Sequence, residues 1–295
     1  MDYLDKYGYA PDREEIGRAI EMIAANMDNI ASEQVYKDCF SMMDLTTLKT
    51  DDTPASVAKL VEKVNAFHKS YPEWPLPASV CVFSNFAATV KEVRKEDFNI
   101  TVVSACFPSS QSFLEVKLKE VEMAVEQGAD EVDIVLALNA FLAGNYEVAA
   151  EEIRQVRRVI DEVAGKHGRN VHLKVILETG LLKTPENIAN ASFLAMEAGA
   201  DFIKTSTGKV DVNATPLAAY VMCECIGIYR MATGKKIGFK PAGGISSAAD
   251  ALCYYSIVSS LLGKDWLNKE LFRFGVSRVA NSLLSAVEQK TVSYF

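Results

Sequence analysis

The chain has 295 residues, 49% of them hydrophobic and 24% charged, with a formal net charge of −8. That length and apolar content suit one large α/β domain with a full core and argue against disorder. The acidic balance speaks against a nucleic-acid surface and gives no reason for adhesion to anionic membrane, so an anionic ligand needs a local positive site.

No early apolar run is long enough for a signal peptide or a membrane span. The start, Met1-Asp-Tyr-Leu-Asp-Lys6, is polar, and the expected location is the cytoplasm. Six cysteines (Cys39, Cys81, Cys106, Cys223, Cys225 and Cys253) sit in apolar patterns and read as buried reduced thiols. Cys223-Glu-Cys225 lacks the spacing of a zinc or redox motif, and His68, His167 and His172 offer no pair at ligand spacing. No metal site is expected. Three matches to the glycosylation pattern, at Asn99, Asn190 and Asn213, are chance in a cytoplasmic protein.

Taken in chain order, residues 1–34 carry a helical pattern from Pro11 to about Ile30 and read as an N-terminal extension packed on a larger body, too short for its own core. The body, 35–288, alternates short apolar runs with longer amphipathic ones. Strands are expected at 37–43, 79–83, 100–105, 131–136, 172–177, 202–205, 237–240 and 272–275. Helices are expected at 54–70, 86–95, 111–127, 145–166, 185–198, 216–233, 248–262 and 278–288. Eight strand–helix units in about 250 residues are those of a closed (β/α)8 TIM barrel. A doubly wound open sheet is the main rival. Residues 289–295 read as a mobile tail. Two refrains, Glu126-Gln-Gly-Ala-Asp-Glu-Val-Asp133 and Glu197-Ala-Gly-Ala-Asp-Phe-Ile-Lys204, each run from helix end through glycine into strand. Each places an ionisable residue third in its strand, and that parity points Asp133 and Lys204 toward the barrel's C-terminal mouth.

Three predicted strands end on lysine: Lys174, Lys204 and Lys240. An ammonium costs several kcal/mol to bury unless something offsets it. Like charges crowded at one end of a sheet depress one another's pKa, and a free amine attacks carbonyls. Lys204 is the first candidate nucleophile because Thr205-Ser-Thr-Gly-Lys209, a run able to grip polar atoms, follows it. Snorkelling to solvent is the bland alternative for a single lysine. Strands lie about 4.8 Å apart, which makes Lys240 the natural perturbing cation. Asp133 is the natural proton shuttle, and Lys174 more a positioning group than a reactant. Asp44 and Glu178 also end strands; each could join the polar network or simply cap a turn.

A second constellation suits phosphate. Pro241-Ala-Gly-Gly-Ile-Ser-Ser247 enters a helix at the capping-box spacing of Ser247 and Asp250. Paired glycines and a helix N-terminus bring backbone N–H groups to an oxyanion. Gly275, Ser277 and Arg278 follow the eighth strand, and loops after strands seven and eight are the usual phosphate site of this barrel. Thr207-Gly-Lys209 is no Walker motif, since the upstream glycine is missing.

Phe202-Ile-Lys-Thr-Ser-Thr-Gly-Lys209, Gly238-Phe-Lys-Pro-Ala-Gly-Gly244, Ala129-Asp-Glu-Val-Asp133 and Met43-Asp-Leu-Thr46 together resemble the deoxyribose-phosphate aldolase family of class I aldolases. The resemblance runs from about Asp38 to Glu288 and is nearest to the longer branch of that family. It implies a Schiff-base lysine at Lys204, a pKa-lowering Lys240, an acid–base Asp133 and a supporting Lys174. It implies a substrate and phosphate grip drawn from Asp44, Thr46, Thr205, Gly208, Lys209, Gly243, Gly244, Gly275, Ser277 and Arg278. The reaction implied is reversible cleavage of 2-deoxy-D-ribose 5-phosphate to glyceraldehyde 3-phosphate and acetaldehyde, in deoxyribonucleoside catabolism, with no metal or organic cofactor. Partners implied are small phosphorylated sugars and aldehydes and further copies of the chain, as dimer or tetramer.

Three positions depart from the family's pattern. Ser246 stands where a basic residue is common, and Arg278 where a second serine is, which suggests that positive charge has moved between the phosphate loops or that tolerance for non-phosphorylated aldehydes has changed. Cys106 replaces the usual glycine or asparagine before Phe107-Pro108 and is expected to reshape the pocket wall. Tyr294, near the end, is a candidate tail proton donor. Rival readings are another Schiff-base barrel, a silent phosphosugar-binding protein, and an isomerase or synthase barrel; the last leaves three mouth lysines unexplained.

Overall fold

The computed structural model describes residues 3–295; Met1 and Asp2, part of the polar start, lie outside the described residues. Eight parallel strands are formed by Met43–Thr46 (β1), Ser79–Phe83 (β2), Asn99–Val103 (β3), Glu131–Val135 (β4), His172–Ile176 (β5), Phe202–Lys204 (β6), Gly238–Lys240 (β7) and Phe274–Val276 (β8). Their order is β7-β6-β5-β4-β3-β2-β1-β8. Parallel bridges from Phe239 to Phe272 and from Ala242 to Gly275 join the two outermost strands and close the barrel.

Helices cross over outside the sheet because their apolar residues recur at helical spacing. In Tyr146–Lys166 the buried side chains are Ala149, Ala150, Ile153, Val156, Ile160, Val163 and Ala164, a single stripe against the barrel. The two refrains end their helices alike: Ala129 N–H donates to Ala124 at 3.1 Å, and Ala200 N–H to Ala195 at 3.1 Å. Both are the tight closing bonds of a helix C-terminus feeding a strand.

The first strand begins later than its sequence suggests. Residues 33–41 are helix, with Ser32 accepting from Val35 N–H and Lys37 paired with Glu33 one turn away; β1 starts only at Met43. Upstream, Asp12 caps Arg13–Ala25 by accepting from the amides of Glu14 and Glu15. The short helix Tyr3–Tyr7 packs beside Pro185–Glu197, with Tyr7 stacked on Phe193 at 4.2 Å. Tyr9 donates to Glu224 on the next barrel helix.

The tail differs from expectation as well. Val292 is buried, Asn281 donates to the Phe295 carbonyl and accepts from the amides of Tyr294 and Phe295, and the two terminal rings pack on Phe67. An aromatic end on an apolar surface docks. No helix among the described residues is long and apolar enough to cross a membrane.

Candidate active site

Parallel pairing sets the catalytic-looking side chains at matched heights. Asp133 lies beside Lys174 in register, and Lys204 beside Lys240. Inside the barrel Asp133 accepts from Lys204 Nζ at 2.8 Å and Lys240 Nζ at 2.8 Å on one oxygen, and from Lys174 Nζ at 3.1 Å on the other. Lys174 also pairs with Glu131, and Lys240 with Asp44.

Beneath this group lies a second layer that the sequence reading missed. Arg273 donates to Asp44 at 2.6 Å and to both oxygens of Glu131 at 3.1 and 2.7 Å. Thr101 and Asn99 complete the hydration that Glu131 lacks, and Ser79 donates to Asp44 at 2.7 Å. The Phe202 ring lies 5.7 Å from the Lys174 ammonium and 5.9 Å from the Arg273 guanidinium, within cation–π reach. Glu131 shares a face with Asp133, two residues earlier, which was the available signal. Arg273 had none, because its partners are far away in sequence.

The balance of charge singles out one residue. Four cations (Lys174, Lys204, Lys240 and Arg273) face three carboxylates (Asp44, Glu131 and Asp133), all buried. Lys174, Lys240 and Arg273 each contact at least two of those carboxylates, whereas Lys204 pairs only with Asp133, which it shares. Burial, more than any neighbour, pushes the Lys204 pKa below the usual lysine value; Lys240 pushes the same way and Asp133 opposes. Lys240 goes upward. Burial works against its charge, but Asp133 and Asp44 together outweigh that cost. The same contest leaves Asp133 well below the ordinary carboxylate range, because its three lysines outweigh desolvation. Like-charge crowding was expected to be the main cause of a free amine; desolvation is the larger one.

Lys204 is also the one member of the network that reaches a cavity. A space of about 480 Å³ opens at the C-terminal ends of the strands and is lined by Thr46, Thr47, Leu48, Lys49, Lys204, Thr207, Gly208, Lys209, Gly243, Gly244, Ser246, Gly275, Ser277 and Arg278, among others. So the structure gathers around Lys204 most of the residues expected to grip a substrate. Two it places elsewhere. Asp44 is fully buried in the ion network, and Thr205 spends its hydroxyl on the Ala242 backbone, accepting its N–H at 2.9 Å. Neither lines the cavity, nor do Cys106 and Tyr294. The amide of Cys106 donates to Glu120 in the loop after β3, and the Tyr294 hydroxyl donates to the Lys63 carbonyl at 2.8 Å. Thr207, part of the run expected to grip polar atoms, lines the cavity too, as does Lys49, which was not singled out.

The end of the cavity formed by the loops after β7 and β8 is built mainly of backbone. Gly243 and Gly244 both hold φ of +78°, and a Cβ on Gly243 would lie 2.5 Å from Asn213 Oδ1, so only glycine fits that turn. The helix Ala248–Leu262 starts with the expected capping box, but this has a consequence. Asp250 accepts from the amides of Ser246 and Ser247, which therefore are not free for a ligand. The next helix, Val279–Glu288, has no side-chain cap at its N-terminus, where Arg278 stands. Its first amides and Arg278 remain available, with Lys209 across the cavity. Among the described residues no group of three or more His, Cys, Asp or Glu side chains is arranged to hold a metal ion.

A (β/α)8 barrel that opens one lysine of a buried ion network, Lys204, into a cavity at the C-terminal ends of its strands has the architecture of an enzyme. Residues 39–253 match the model of the DeoC/LacD family aldolases. A human protein named deoxyribose-phosphate aldolase is 42% identical over 261 residues, covering 85% of this chain and 78% of its own. A Caenorhabditis elegans protein provisionally given that name is 38% identical over 287 residues, 94% of this chain and 89% of its own. The solved deoxyribose phosphate aldolase of Aeropyrum pernix, described as tetrameric, superposes with a TM-score of 0.66 at 21% identity, over 94% of this chain and 98% of that one, and shares the fold. The chain belongs to the DeoC/LacD aldolase family: it is an aldolase, a carbon–carbon lyase.

Proposed function

We propose that the protein reversibly cleaves 2-deoxy-D-ribose 5-phosphate to glyceraldehyde 3-phosphate and acetaldehyde through a Schiff base on Lys204. One observation carries the reading: Lys204 is the least compensated buried cation and the one that opens into the cavity. A cation short of carboxylate partners gives up its proton most readily, and the neutral amine is the nucleophile.

The unprotonated Nζ of Lys204 adds to the C1 aldehyde. Asp133, 2.8 Å from that nitrogen, relays protons as the carbinolamine loses water. The iminium draws the electrons of the C2–C3 bond as the C3 hydroxyl gives up its proton. Glyceraldehyde 3-phosphate leaves and an enamine stays on Lys204. Protonation at C2 and hydrolysis then release acetaldehyde and the free amine. Lys240 keeps its charge throughout, which opposes reprotonation of Lys204, while Lys174 holds Asp133 in place. Lys209, Arg278, the Gly243-Gly244 amides, Ser277 and the N-terminus of Val279–Glu288 hold the 5-phosphate. Arg278 and Ser246 line the same cavity, which supports a shift of positive charge between its two loops.

The setting proposed is deoxyribonucleoside breakdown in the cytoplasm, as a dimer or tetramer. Six free cysteines suit a reducing compartment, and a tetrameric relative of the same fold supports assembly. The reading is tested by turnover of deoxyribose 5-phosphate with both aldehydes quantified. Equal amounts of glyceraldehyde 3-phosphate and acetaldehyde are expected; no cleavage of this sugar, with turnover of another phosphorylated aldehyde, would overturn it.

A further inference from the structure

We propose that Glu178 is a positioning residue that fixes the phosphate-binding Thr207-Gly208-Lys209 loop, and thereby sets the preference for phosphorylated over non-phosphorylated substrate. The inference rests on the functional reading above. Glu178 lies just past the end of β5 and is 2% exposed, yet it does not line the cavity. Its backbone is left-handed, with φ of 55° and ψ of 59°, an uncommon state for a residue with a Cβ. On either side of it the sheet bonding continues, from Leu177 N–H to the Lys204 carbonyl at 2.8 Å and from Thr179 N–H to the Thr205 carbonyl at 2.9 Å. The twist at Glu178 therefore does not break the strand contact. It turns one carboxylate toward the chain that follows Lys204.

That carboxylate has no ion-pair partner within 4.0 Å among the described residues, in contrast to every carboxylate of the central network. Two donors from one residue satisfy it instead: the Thr207 amide at 3.1 Å and the Thr207 hydroxyl at 2.6 Å. The same Thr207 oxygen accepts from the Lys209 amide at 3.0 Å. At the far end the Lys209 ammonium donates to the Leu48 carbonyl at 2.5 Å, across the cavity mouth. A carboxylate-to-hydroxyl-to-amide chain thus reaches from a buried strand end to the backbone of a phosphate-facing lysine. Between them Gly208 is exposed and has φ of +78°, so the loop past the buried Thr207 has little packing of its own. Close approach of the two loops is also built in, since a Cβ on Gly180 would meet the Val212 carbonyl oxygen at 2.1 Å.

A bond made by a buried anion is stronger than one between neutral groups, so Glu178 holds Thr207 more rigidly than a neutral residue would. Losing it frees the loop and blurs the position of Lys209, while Lys204 and Asp133, fixed by β6 and β4, stay where they are.

The experiment compares Glu178→Gln and Glu178→Ala with wild type on deoxyribose 5-phosphate and on deoxyribose without phosphate. The expected result is a KM about tenfold higher for the phosphorylated sugar, the size of one lost charge-assisted hydrogen bond, with kcat/KM for the unphosphorylated sugar unchanged. Thr207→Val should reproduce the loss, and the double variant should be little worse than either alone, because all three break one chain. Equal losses on both sugars, or none on the phosphorylated one, would overturn the inference. If Glu178→Ala does not fold, Glu178→Gln and Thr207→Val carry the same test. Inorganic phosphate binding, measured on Lys204→Ala with and without Glu178→Gln, separates this from the substrate assignment. Weaker phosphate binding with no wild-type turnover sinks the assignment and keeps the loop inference. Unchanged phosphate binding sinks the inference even if the wild type is active.

Discussion

The two layers of buried charge in this barrel use the same residue types to opposite ends. In the lower layer Arg273 meets Glu131 with bidentate geometry and Asp44 through one bond, hydroxyl and amide donors add to both carboxylates, and Lys240 pairs with the other Asp44 oxygen. Burial resists ionising the two carboxyls, but their cations overcome it and both pKa values end low; that of Arg273 ends high for the mirror reason. Every charge there is held. In the upper layer three lysines share Asp133, and the one with no other carboxylate is the one whose pKa falls. A compensated network supplies a fixed floor, and a deficit of one carboxylate above it leaves Lys204 the least compensated cation. The difference is one of counting charges, not of residue chemistry.

Breaking the upper layer at its deficit should have the largest effect. Lys204→Ala is expected to lower turnover at least about a thousandfold, with a thermal midpoint within a few degrees of wild type, because the least compensated cation of the network is removed. Steady-state kinetics with parallel thermal melts checks both halves. Breaking the lower layer should do the reverse. Arg273→Met leaves two buried carboxylates short of their cation and should cost about 3–5 kcal/mol of stability, read as a shifted urea midpoint.

Next in size is the link between the layers. Lys240→Met removes the ammonium that depresses Lys204 and leaves Lys204 alone on the Asp133 oxygen the two share, with Lys174 still on the other, and both changes raise the Lys204 pKa. A raised amine pKa means less free amine at a given pH. Turnover at neutral pH should then fall about a hundredfold, and the rate of imine formation should rise only at higher pH than in wild type. A pH profile with an unmoved midpoint would contradict the coupling. The smallest effect belongs to the rim: Arg278→Ala should raise KM for the phosphorylated sugar about tenfold and leave kcat nearly unchanged, since phosphate is held equally before and during the reaction.

How much of this was legible in the sequence follows the range of the interactions. Strand ends on Lys204 and Lys240, the parity of Asp133, and the Gly243-Gly244 turn are local patterns, and the structure holds them where those patterns put them, whereas Lys174, expected at a strand end, lies in the middle of β5. The first strand was misplaced because Val35, Tyr36, Cys39 and Phe40 form an apolar run that fits a helix face as well as a strand; the Ser32 cap and the Glu33–Lys37 pair decide for helix. Asp44 looked like a ligand contact because its depth could not be seen before its partner was known. That partner, Arg273, bonds to it from 229 positions away. Likewise the uncapped helix N-terminus beside Arg278 shows itself only once Asp250 is seen to occupy the other one.

The central claim is that Lys204, and neither neighbouring lysine, forms the imine. Borohydride trapping with acetaldehyde, followed by mass mapping of peptides, tests it most directly. The account predicts a two-carbon adduct on the Lys204 peptide, absent in Lys204→Ala. An adduct on Lys174 or Lys240, or none on the folded protein, would contradict it.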